Sequence, residues 1–598
     1  MKIENLIAGL GQRILSAGDL ESDAGQMNTP AASGKLTDGV FAQKATYTDP
    51  AYHKFYGSID RTIVYDLGDV CAVSGFMGSF LHEEQTAVRL PAYVRIALSE
   101  DGDGWETVAE IKPERTNVES EIRKLSAEFE PRAARYVGIS FNVACWVFVD
   151  QFEVYGVRDA AGAKSIVPEK KTAVNNPNRY VEPDDFYGIH DIMLAYNCLY
   201  SNPERGLLTK ELLLPYVAYY DRDGKMKDIY FDSFLFLPFV AAAPSGGYYY
   251  DNKSKPGCLD DWKYYVNDTF TPGKNVEALN DAVGEVKQIL GLENYRARVF
   301  FSILFPTETQ KEFGVVDGKK LDFTRLDDRK AAVRWLVKEQ LNRFKAGGFD
   351  NLLLTGFYWF HESVDYSDPN ELELLRYTTD YVRSLGYSTI WIPWYQASGF
   401  HEWQKFGFDV ACMQPNYAFT QNTAKVVYAN AATTKRLGMC VEMEIGGLSH
   451  EQCARFRIYM KVGAQTGYMN ALHMYYQGGG PGEFYHARLS DDEKVRNIYH
   501  ELYTFVKHRL PLADIRLDTC AFETKADSVL DARIASGDDI IVATLYEGTK
   551  NGSLTLANDG SFKYIPKKDF KGLDRFYVDV TVDGKVKDIF EITVSVIA

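Results

Sequence analysis

The chain has 598 residues, of which 46% are hydrophobic and 25% charged, and its formal net charge is -16. At roughly 100 to 200 residues per domain, this length allows three or four domains. The acidic balance, without any run of Lys and Arg, disfavours nucleic acid and anionic membranes as partners, because both bind clustered positive charge. Nothing in the composition identifies a protein partner.

The eight cysteines are scattered, without a C-x-x-C pair and without the spacing of zinc ligands. This pattern disfavours a structural metal and a disulfide framework, so we expect no metal site and no cofactor. The opening stretch "MKIENLIAGLGQRIL" lacks the apolar core and cleavage site of a secretory signal. The chain as written is expected in the cytoplasm, and a secreted or cell-surface protein whose signal was removed stays open as the alternative.

Residues 1–160 are predicted to form a β-sandwich, because short apolar runs alternate with turns and helical periodicity is almost missing. The stretches "KLTDGVFA", "VYDLG" and "VRIALSEDGDGWETVAEI" resemble the discoidin, or coagulation factor 5/8 type C, modules. That resemblance implies a jelly roll whose loops often bind glycans. Residues 161–185 are polar and rich in Ala, Asn and Pro, which predicts a linker.

Residues 186–510 repeat an apolar strand, a loop and an amphipathic helix, which predicts a (β/α)8 TIM-like barrel. A doubly wound open sheet is the alternative, although the Gly-rich loop that usually follows its first strand is missing. The eight predicted strands are "DIMLAYNCL" (191–199), "IYFDSFLFL" (229–237), "ARVFFSILF" (297–305), "NLLLTGFYWF" (351–360), "STIWIPWY" (388–395), "DVACMQPNY" (409–417), "MCVEMEIG" (439–446) and "YMNALHMYY" (468–476).

Residues 511–598 contain alternating strands with "NDG" and "VDG" turns, which predicts a small C-terminal β-sandwich. The stretch "NGSLTLANDGSFKYIPKKDFKGLDRFYVDVTVDGK" is similar to the cadherin-like, immunoglobulin-type repeats of bacterial surface proteins. The resemblance implies a spacer or an adhesive unit without chemistry of its own.

Active sites of such barrels lie at the carboxyl ends of the strands, so polar and aromatic side chains near predicted strand ends are the candidates. We assign substrate binding to Asn197, Asp232, Trp359, His361, Trp394, Tyr395, Gln414, Asn416, Tyr417, His473 and Tyr475. The aromatic members suit the C–H faces of sugar rings, and closing the barrel mouth is the bland alternative. His361 is not expected to bind a metal, because "FHES" lacks the H-E-x-x-H spacing.

Three glutamates are the catalytic candidates. Glu362 closes the fourth strand, and "VEMEIGG" places Glu442 and Glu444 on one face of the seventh, on the opposite side of the ring. Two carboxylates facing each other across a pocket are typical of glycosidases. We predict Glu362 as acid/base, Glu444 as nucleophile and Glu442 as its support, with the last two roles exchangeable. A glutamate at a strand end is more often a solvated rim residue or a helix cap, and that alternative stays open.

The central segment resembles a bacterial family catalogued as domain of unknown function 4855, through "HDIMLAYN", "SNPERG", "YFDSFLFLP", "GFYWFHE", "MQPNY" and "VEMEIGG". That name implies one domain over residues 186–510 and no activity. Its combination with the two flanking modules is the layout of many carbohydrate-active enzymes, which is an analogy of architecture.

The sequence therefore favours a glycoside hydrolase acting on an oligo- or polysaccharide. Retention of the anomeric configuration is expected, because long side chains on opposite walls can approach to about 5 to 5.5 Å. A non-catalytic glycan-binding protein and a polysaccharide lyase or sugar-modifying enzyme with His473 or a tyrosine as base are the alternatives.

Overall fold

The structure is a computed structural model of the chain. It describes residues 2–11, 13–16, 34–56, 61–86, 88–114, 118–143, 146–168, 178–199, 206–239, 242–366, 368–478, 482–512, 515, 517, 519–534, 541–582 and 586–598. The backbone forms two compact units. The first contains residues 1–176, 362–373 and 393–406, and the second contains residues 177–361, 374–392 and 407–598.

An antiparallel sheet makes up most of the first unit, in the order β1-β8-β4-β7-β5-β6, with β2 paired to β4 and β3 to β8. Alternating side chains of β4, among them Ile63, Tyr65 and Leu67, are buried in its core cluster because successive side chains of a strand point to opposite faces. This region is all β, as predicted. Its strands are β1 (Glu4–Asn5), β2 (Arg13–Ser16), β3 (His53–Tyr56), β4 (Arg61–Glu83), β5 (Val94–Ser99), β6 (Glu106–Ile111), β7 (Ser120–Phe141) and β8 (Trp146–Val157).

A closed barrel of eight parallel strands forms the centre of the second unit, in the order β12-β13-β16-β17-β18-β19-β20-β9. All eight predicted strands are present. The strands are β9 (Asp191–Asn197), β12 (Ser233–Pro238), β13 (Ala297–Ile303), β16 (Leu352–Trp359), β17 (Ser388–Trp391), β18 (Val410–Met413), β19 (Cys440–Ile445) and β20 (His473–Gln477). Two hairpins are inserted between them, β10 (Ala218–Tyr220) with β11 (Met226–Ile229) and β14 (Gly314–Val316) with β15 (Lys319–Leu321).

Helices connect most barrel strands. They are α1 (Lys210–Val217), α2 (Leu259–Thr269), α3 (Asn275–Leu290), α4 (Leu326–Gly347), α5 (Glu371–Ser384), α6 (Lys425–Leu437), α7 (His450–Thr466), α8 (Glu483–Leu489) and α9 (Glu493–Val506). The connection between β17 and β18 holds only a short 3₁₀ turn, Phe400–Glu402, so the strand-helix alternation departs there from a full (β/α)8 repeat. None of these helices is long and apolar enough to cross a bilayer, as far as the described residues go.

The amino end of the barrel is closed by the segment 178–189. Val181, Phe186 and Ile189 belong to the same buried cluster as the inward-facing strand residues, and the backbone of Val181 bonds to Met439 and Leu472. Part of the predicted linker 161–185 is therefore a plug packed into the barrel. The opposite, carboxyl end is the end where a site is expected.

Two sheets around one core cluster form the C-terminal module of the second unit. Their orders are β21-β27-β26-β23 and β22-β25-β24, which confirms the predicted small β domain. The strands are β21 (Ala521–Lys525), β22 (Leu530–Arg533), β23 (Ile541–Glu547), β24 (Gly552–Leu556), β25 (Ser561–Pro566), β26 (Gly572–Val582) and β27 (Val586–Ile597).

Candidate functional site at the carboxyl end of the barrel

Two buried glutamates lie near the carboxyl end of β19. Glu442 and Glu444 are each 1% exposed, and side chains two apart in a strand share a face. Glu442 is paired with Met474 and Glu444 with Tyr476 on β20. Met474 belongs to the interior cluster of the barrel, and the partly buried Tyr476 packs against that cluster. The two carboxylates therefore occupy inward-facing positions, with Glu444 one layer nearer the carboxyl end.

The hydroxyl of Tyr459, on α7, bridges Glu444 and the chain that follows β18. The ladder between β18 and β19 ends where Met413 pairs with Val441, so the strands separate before Glu444. Tyr459 Oη donates a hydrogen bond to Glu444 Oε2 and accepts one from the backbone N–H of Tyr417 at 3.2 Å. Burial, and then the charge of Glu444, raise the pKa of Tyr459 well above its usual value, so the phenol stays protonated and orients the carboxylate.

Aromatic rings surround the mouth next to this carboxylate. The ring centroids of Tyr196 and Tyr476 are 5.4 Å apart, those of Phe419 and Tyr476 5.1 Å, and those of Tyr196 and Phe239 6.1 Å. Phe419 is 48% exposed, which leaves an apolar face for a ligand ring. None of Tyr196, Phe239 and Phe419 was predicted from the sequence to bind substrate. Tyr196 could have been predicted, because its position on β9 shares the inward face of Ile192 and Leu194.

Gln414 and Asn416 shape the loop after β18. The side-chain amide of Gln414 donates to the carbonyl of Ile392 at 2.8 Å, which ties this loop to the preceding strand. Asn416 has a positive φ of 55°, and its carbonyl accepts the hydroxyl of Thr420 at 2.9 Å. Both residues thus lie at the carboxyl end as predicted, and their contact with a substrate stays a prediction.

His361 also lies at the carboxyl end, directly after β16. Its carbonyl accepts the indole N–H of Trp391 at 2.8 Å, and its ring lies 4.4 Å from that of Phe305. Trp359 was predicted to contact substrate, but it is only 2% exposed and packs edge-on against Phe305 at 5.6 Å. A ring that is closed in by neighbouring side chains cannot stack on a sugar, so Trp359 is a core residue.

Glu362, Trp394 and Tyr395 belong to the first compact unit, because the boundary between the units falls directly after His361. Glu362 is exposed, Trp394 is partly buried and Tyr395 is 9% exposed. That Glu362 and Glu444 face each other across one pocket stays a prediction.

Within that unit, the loops 362–373 and 393–406 are bonded to each other. The N–H of Val364 donates to the carbonyl of Ser398 at 3.0 Å, and the hydroxyl of Tyr366 donates to Glu402 at 2.7 Å. The ring of Tyr366 lies 5.9 Å from that of Tyr93, which directly precedes β5. The loop that begins with Glu362 is thus held by the N-terminal sheet.

Asp232, His473 and Tyr475 were predicted at strand ends near the mouth, and that placement is wrong. β12 begins at Ser233 and β20 at His473, so Asp232 and His473 lie at the amino end of the barrel. Asp232 accepts the backbone N–H of His190 at 2.9 Å. Tyr475 lies on the outward-facing side of β20, between the inward-facing Met474 and Tyr476, and its hydroxyl donates to Asp191 Oδ1 at 2.6 Å.

These residues form a buried polar cluster at the amino end. Burial, together with the nearby Asp232, raises the pKa of Asp191 well above its usual value. Burial lowers the pKa of His473 to about 3, and its Nδ1 lies 3.8 Å from Asp191 Oδ1. Burial thus keeps the imidazole of His473 neutral near pH 7 and favours the protonated form of the Asp191 carboxyl.

Asn197 and Tyr417 were also predicted to bind substrate, and both are fully buried. Asn197 ends β9, but its amide points outward and donates to Asp268 and Thr269 of α2, at 2.9 Å each. The ring of Tyr417 lies under the guanidinium of Arg455, 5.0 Å away. Neither side chain is available to a ligand, because each already packs against a helix on the outside of the barrel.

In the part of the chain that the structure describes, no group of three or more His, Cys, Asp and Glu side chains has the arrangement of a metal site. The chemistry that this end of the barrel offers is that of carboxylates, a phenol and aromatic rings. Such a set can transfer protons, form an ester with a sugar and bind sugar rings by stacking.

Several solved structures are similar to the N-terminal module. CpGH89CBM32-6 produced by Clostridium perfringens has 16% identity, covers 26% of this chain and 99% of its own, and has a TM-score of 0.18. The lectin domain of lectinolysin complexed with Lewis B antigen has 18% identity, coverages of 25% and 95%, and a TM-score of 0.19. A fucose-binding module of Streptococcus pneumoniae has 14% identity, coverages of 26% and 96%, and a TM-score of 0.18.

No curated protein matches the chain. A model of the bacterial Ig domain matches residues 512–595, which agrees with the immunoglobulin-type resemblance of the C-terminal module. The model described as "Domain of unknown function (DUF4855)" matches residues 191–504, from the first barrel strand to the last turn of α9. Because this match spans more than half of the 598 residues, the chain belongs to the DUF4855 family.

Proposed function

We propose that this protein is a glycoside hydrolase whose site lies at the carboxyl end of the barrel. The observation that carries the proposal is the pair of inward-facing glutamates on β19, of which Glu444 is oriented by Tyr459 and lies beside an aromatic mouth. Carboxylates next to aromatic rings are the combination that glycosidases use, since the rings bind the sugar and the carboxylates act on its anomeric carbon. The partner is an oligo- or polysaccharide.

The proposed mechanism is a retaining double displacement. Glu362 protonates the glycosidic oxygen as the leaving group departs, and Glu444 attacks the anomeric carbon to form a glycosyl ester. Glu362 then removes a proton from the water that hydrolyses this ester. The hydrogen bond from Tyr459 to Oε2 orients the Glu444 carboxylate for this attack, and Glu442, one layer deeper, is its supporting residue.

A non-catalytic glycan-binding protein is the second candidate, and one observation favours it. Glu442 and Glu444 are each only 1% exposed, and a buried carboxylate held by a phenol is also a stable structural arrangement. In that case the exposed ring of Phe419 and its neighbours would bind the sugar, and the glutamates would only maintain the barrel.

The experiment that separates the two candidates is turnover of a panel of polysaccharides and aryl glycosides, read by released reducing sugar or aryl alcohol. We expect hydrolysis by the wild type and a loss of about 10²- to 10⁴-fold in kcat for Glu362→Gln, the range for removing a general acid. Glu373→Gln, an exposed glutamate on α5, is the control and should keep wild-type turnover. Binding of a polysaccharide without any hydrolysis would favour the second candidate.

A further inference from the structure

The C-terminal module packs against α7 of the barrel through buried ion pairs. Arg457 Nη1 lies 2.7 Å from Asp579 Oδ1, with side-chain exposures of 11% and 7%. Lys461 Nζ lies 3.0 Å from Asp588 Oδ2, with exposures of 9% and 8%. Because these four side chains are largely removed from water, the module and α7 share a closely packed contact. A loosely attached spacer would leave these charges in solvent.

One part of this contact reaches the candidate site. We call residues 417–424, which follow β18 and carry Phe419, the rim loop. Arg455 of α7 donates to the carbonyls of Tyr417 and Thr420, the latter at 2.9 Å, and its Nε donates to the hydroxyl of Tyr577 in β26 at 3.1 Å. A single guanidinium thus connects the rim loop with the C-terminal module.

The C-terminal module also holds the rim loop directly. Arg575 of β26 donates to the carbonyls of Gln421 and Asn422 at 2.6 and 2.9 Å. Glu591 of β27 accepts the backbone N–H of Ala424 at 2.6 Å and pairs with Arg575 at 2.8 Å. Both side chains are at least 93% buried. They satisfy three backbone groups of the loop that would otherwise need water or another partner.

The rim loop connects this contact with the candidate catalytic residues. Its first N–H, that of Tyr417, donates to Tyr459 Oη, which donates in turn to Glu444. Its third residue, Phe419, lies 5.1 Å from Tyr476 and is half exposed at the mouth. A shift of the loop would therefore move a sugar-stacking ring and remove one bond from the phenol that orients Glu444.

We propose that the C-terminal module is a positioning element of the candidate site, with Arg575 and Glu591 as the positioning residues that set the conformation of the rim loop. This role differs from that of a spacer or an adhesive unit. The ordering of the loop stands independently of the reaction, whereas its effect on substrate affinity rests on the proposed glycosidase function. Because Phe419 contributes binding surface, the module tunes affinity for the sugar ring more than the rate of the chemical step.

The first test is hydrogen exchange of the intact protein, followed in peptides that cover residues 417–424. Glu591→Gln keeps the size of the side chain but weakens its bonds to Arg575 and the N–H of Ala424, and we expect at least about tenfold faster exchange in the rim loop. Arg575→Lys is a second variant, which keeps the positive charge and loses the bonds to the two carbonyls. It should also accelerate exchange in the rim loop.

Asp579→Asn is the matched control. Asp579 is a buried carboxylate of the same module. It forms ion pairs with Arg457 of α7 and with Lys587, and neither of these partners lies in the rim loop. It should leave exchange in residues 417–424 unchanged. Equal exchange in Glu591→Gln, Arg575→Lys and Asp579→Asn, whether raised or not, would overturn the proposal.

The second test is kinetic and uses the aryl glycoside that the wild type hydrolyses best. Glu591→Gln should raise KM several-fold with a smaller change in kcat, as Phe419→Ala should, while Asp579→Asn keeps both constants. A fall in kcat alone would contradict the affinity role. If the wild type hydrolyses no glycoside in the panel, the proposed function fails, whereas the exchange measurement still decides whether the module orders the rim loop.

Discussion

Tyr459 is the residue on which the geometry of Glu444 depends most directly. Its hydroxyl joins a carboxylate of β19 to a backbone N–H of the separate chain segment after β18. The residue lies in the middle of α7 in the sequence, where a buried tyrosine reads as ordinary helix packing. Only the separation of two strands in space gives its hydroxyl a function, which explains why the sequence did not point to it.

Replacing Tyr459 with Phe should destabilise the protein and reduce turnover. The change leaves Glu444 Oε2 and the N–H of Tyr417 without this partner in a buried site, which costs about 1 to 3 kcal/mol for each unsatisfied group. Urea denaturation gives the stability, and initial rates on the best aryl glycoside give the turnover. Tyr428→Phe, which removes a more exposed phenol on α6, is the control. Wild-type stability and rate in Tyr459→Phe would contradict the bridging role.

His473 should make the protein sensitive to acid. Its pKa is about 6.5 when unfolded and is lowered to about 3 by burial in the folded state, so the unfolded state binds more protons between these values. Above pH 6.5 the titration of this group does not reduce the free energy of unfolding. As the pH falls from 6.5 towards 3 the free energy of unfolding decreases, by about 2 kcal/mol at pH 5. Urea denaturation at pH 7 and pH 5 should show a smaller difference for His473→Gln than for the wild type. An equal pH dependence in both proteins would argue against this titration.

The catalytic and binding candidates were predictable to different degrees. Glu442 and Glu444 were found because alternation along one strand is a local property of the sequence. Asp232 and His473 were misplaced because an apolar run such as "IYFDSFLFL" does not mark the residue at which its strand begins. That boundary depends on pairing with Ile192 and Asp191 of the neighbouring strand, which is a long-range contact.

At the scale of elements, the eight barrel strands were predictable because each is a buried run flanked by turns, and parallel strands are buried on both faces. Helical patterns were predicted between most of these strands, and the connection between β17 and β18 is one that lacks a helix and holds a 3₁₀ turn. The sequence between them, "YQASGFHEWQKFGF", has no apolar repeat of helical period. The loops of this connection pack instead with the N-terminal sheet.

The contact between α7 and β27 predicts a strong dependence on Asp588. Asp588→Ala should destabilise the protein by about 3 to 5 kcal/mol, because it leaves the ammonium of Lys461, whose side chain is 9% exposed, without its carboxylate. Burial already lowers the pKa of Lys461. Thermal unfolding gives the loss. The double variant Lys461→Met, Asp588→Leu should restore stability to within about 1.5 kcal/mol of the wild type, and a double variant as unstable as Asp588→Ala would contradict the ion-pair explanation.

At the scale of the whole molecule, each compact unit combines a β module with a part of the barrel chain. The first unit joins the N-terminal sheet with the loops 362–373 and 393–406, and the second joins the barrel with the C-terminal module. The modules were predictable from their periodicity and motifs. The loops that each module contacts were not predictable, since a resemblance to independent binding or spacer modules does not indicate which loops of the barrel chain such a module contacts.

The N-terminal sheet should control the loop that begins with Glu362. Tyr93→Ala removes the ring that lies edge-on to Tyr366, so we expect faster hydrogen exchange in residues 362–373 and a lower kcat on aryl glycosides. Tyr136→Ala, which removes an aromatic ring of β7 in the same module, is the control and should change neither quantity in this loop. Unchanged exchange in Tyr93→Ala would show that the loop keeps its conformation without this contact.

The central claim is that Glu444 is the nucleophile of a retaining glycosidase, and covalent trapping tests it most directly. The protein would be incubated with a panel of activated 2-deoxy-2-fluoro glycosides, whose glycosyl esters hydrolyse slowly, and then digested for peptide mass mapping. The account predicts a single added fluorosugar on Glu444, and no addition in Glu444→Gln. Hydrolysis of glycosides without any adduct, with inversion of the anomeric centre, or an adduct on a residue other than Glu444 would contradict it.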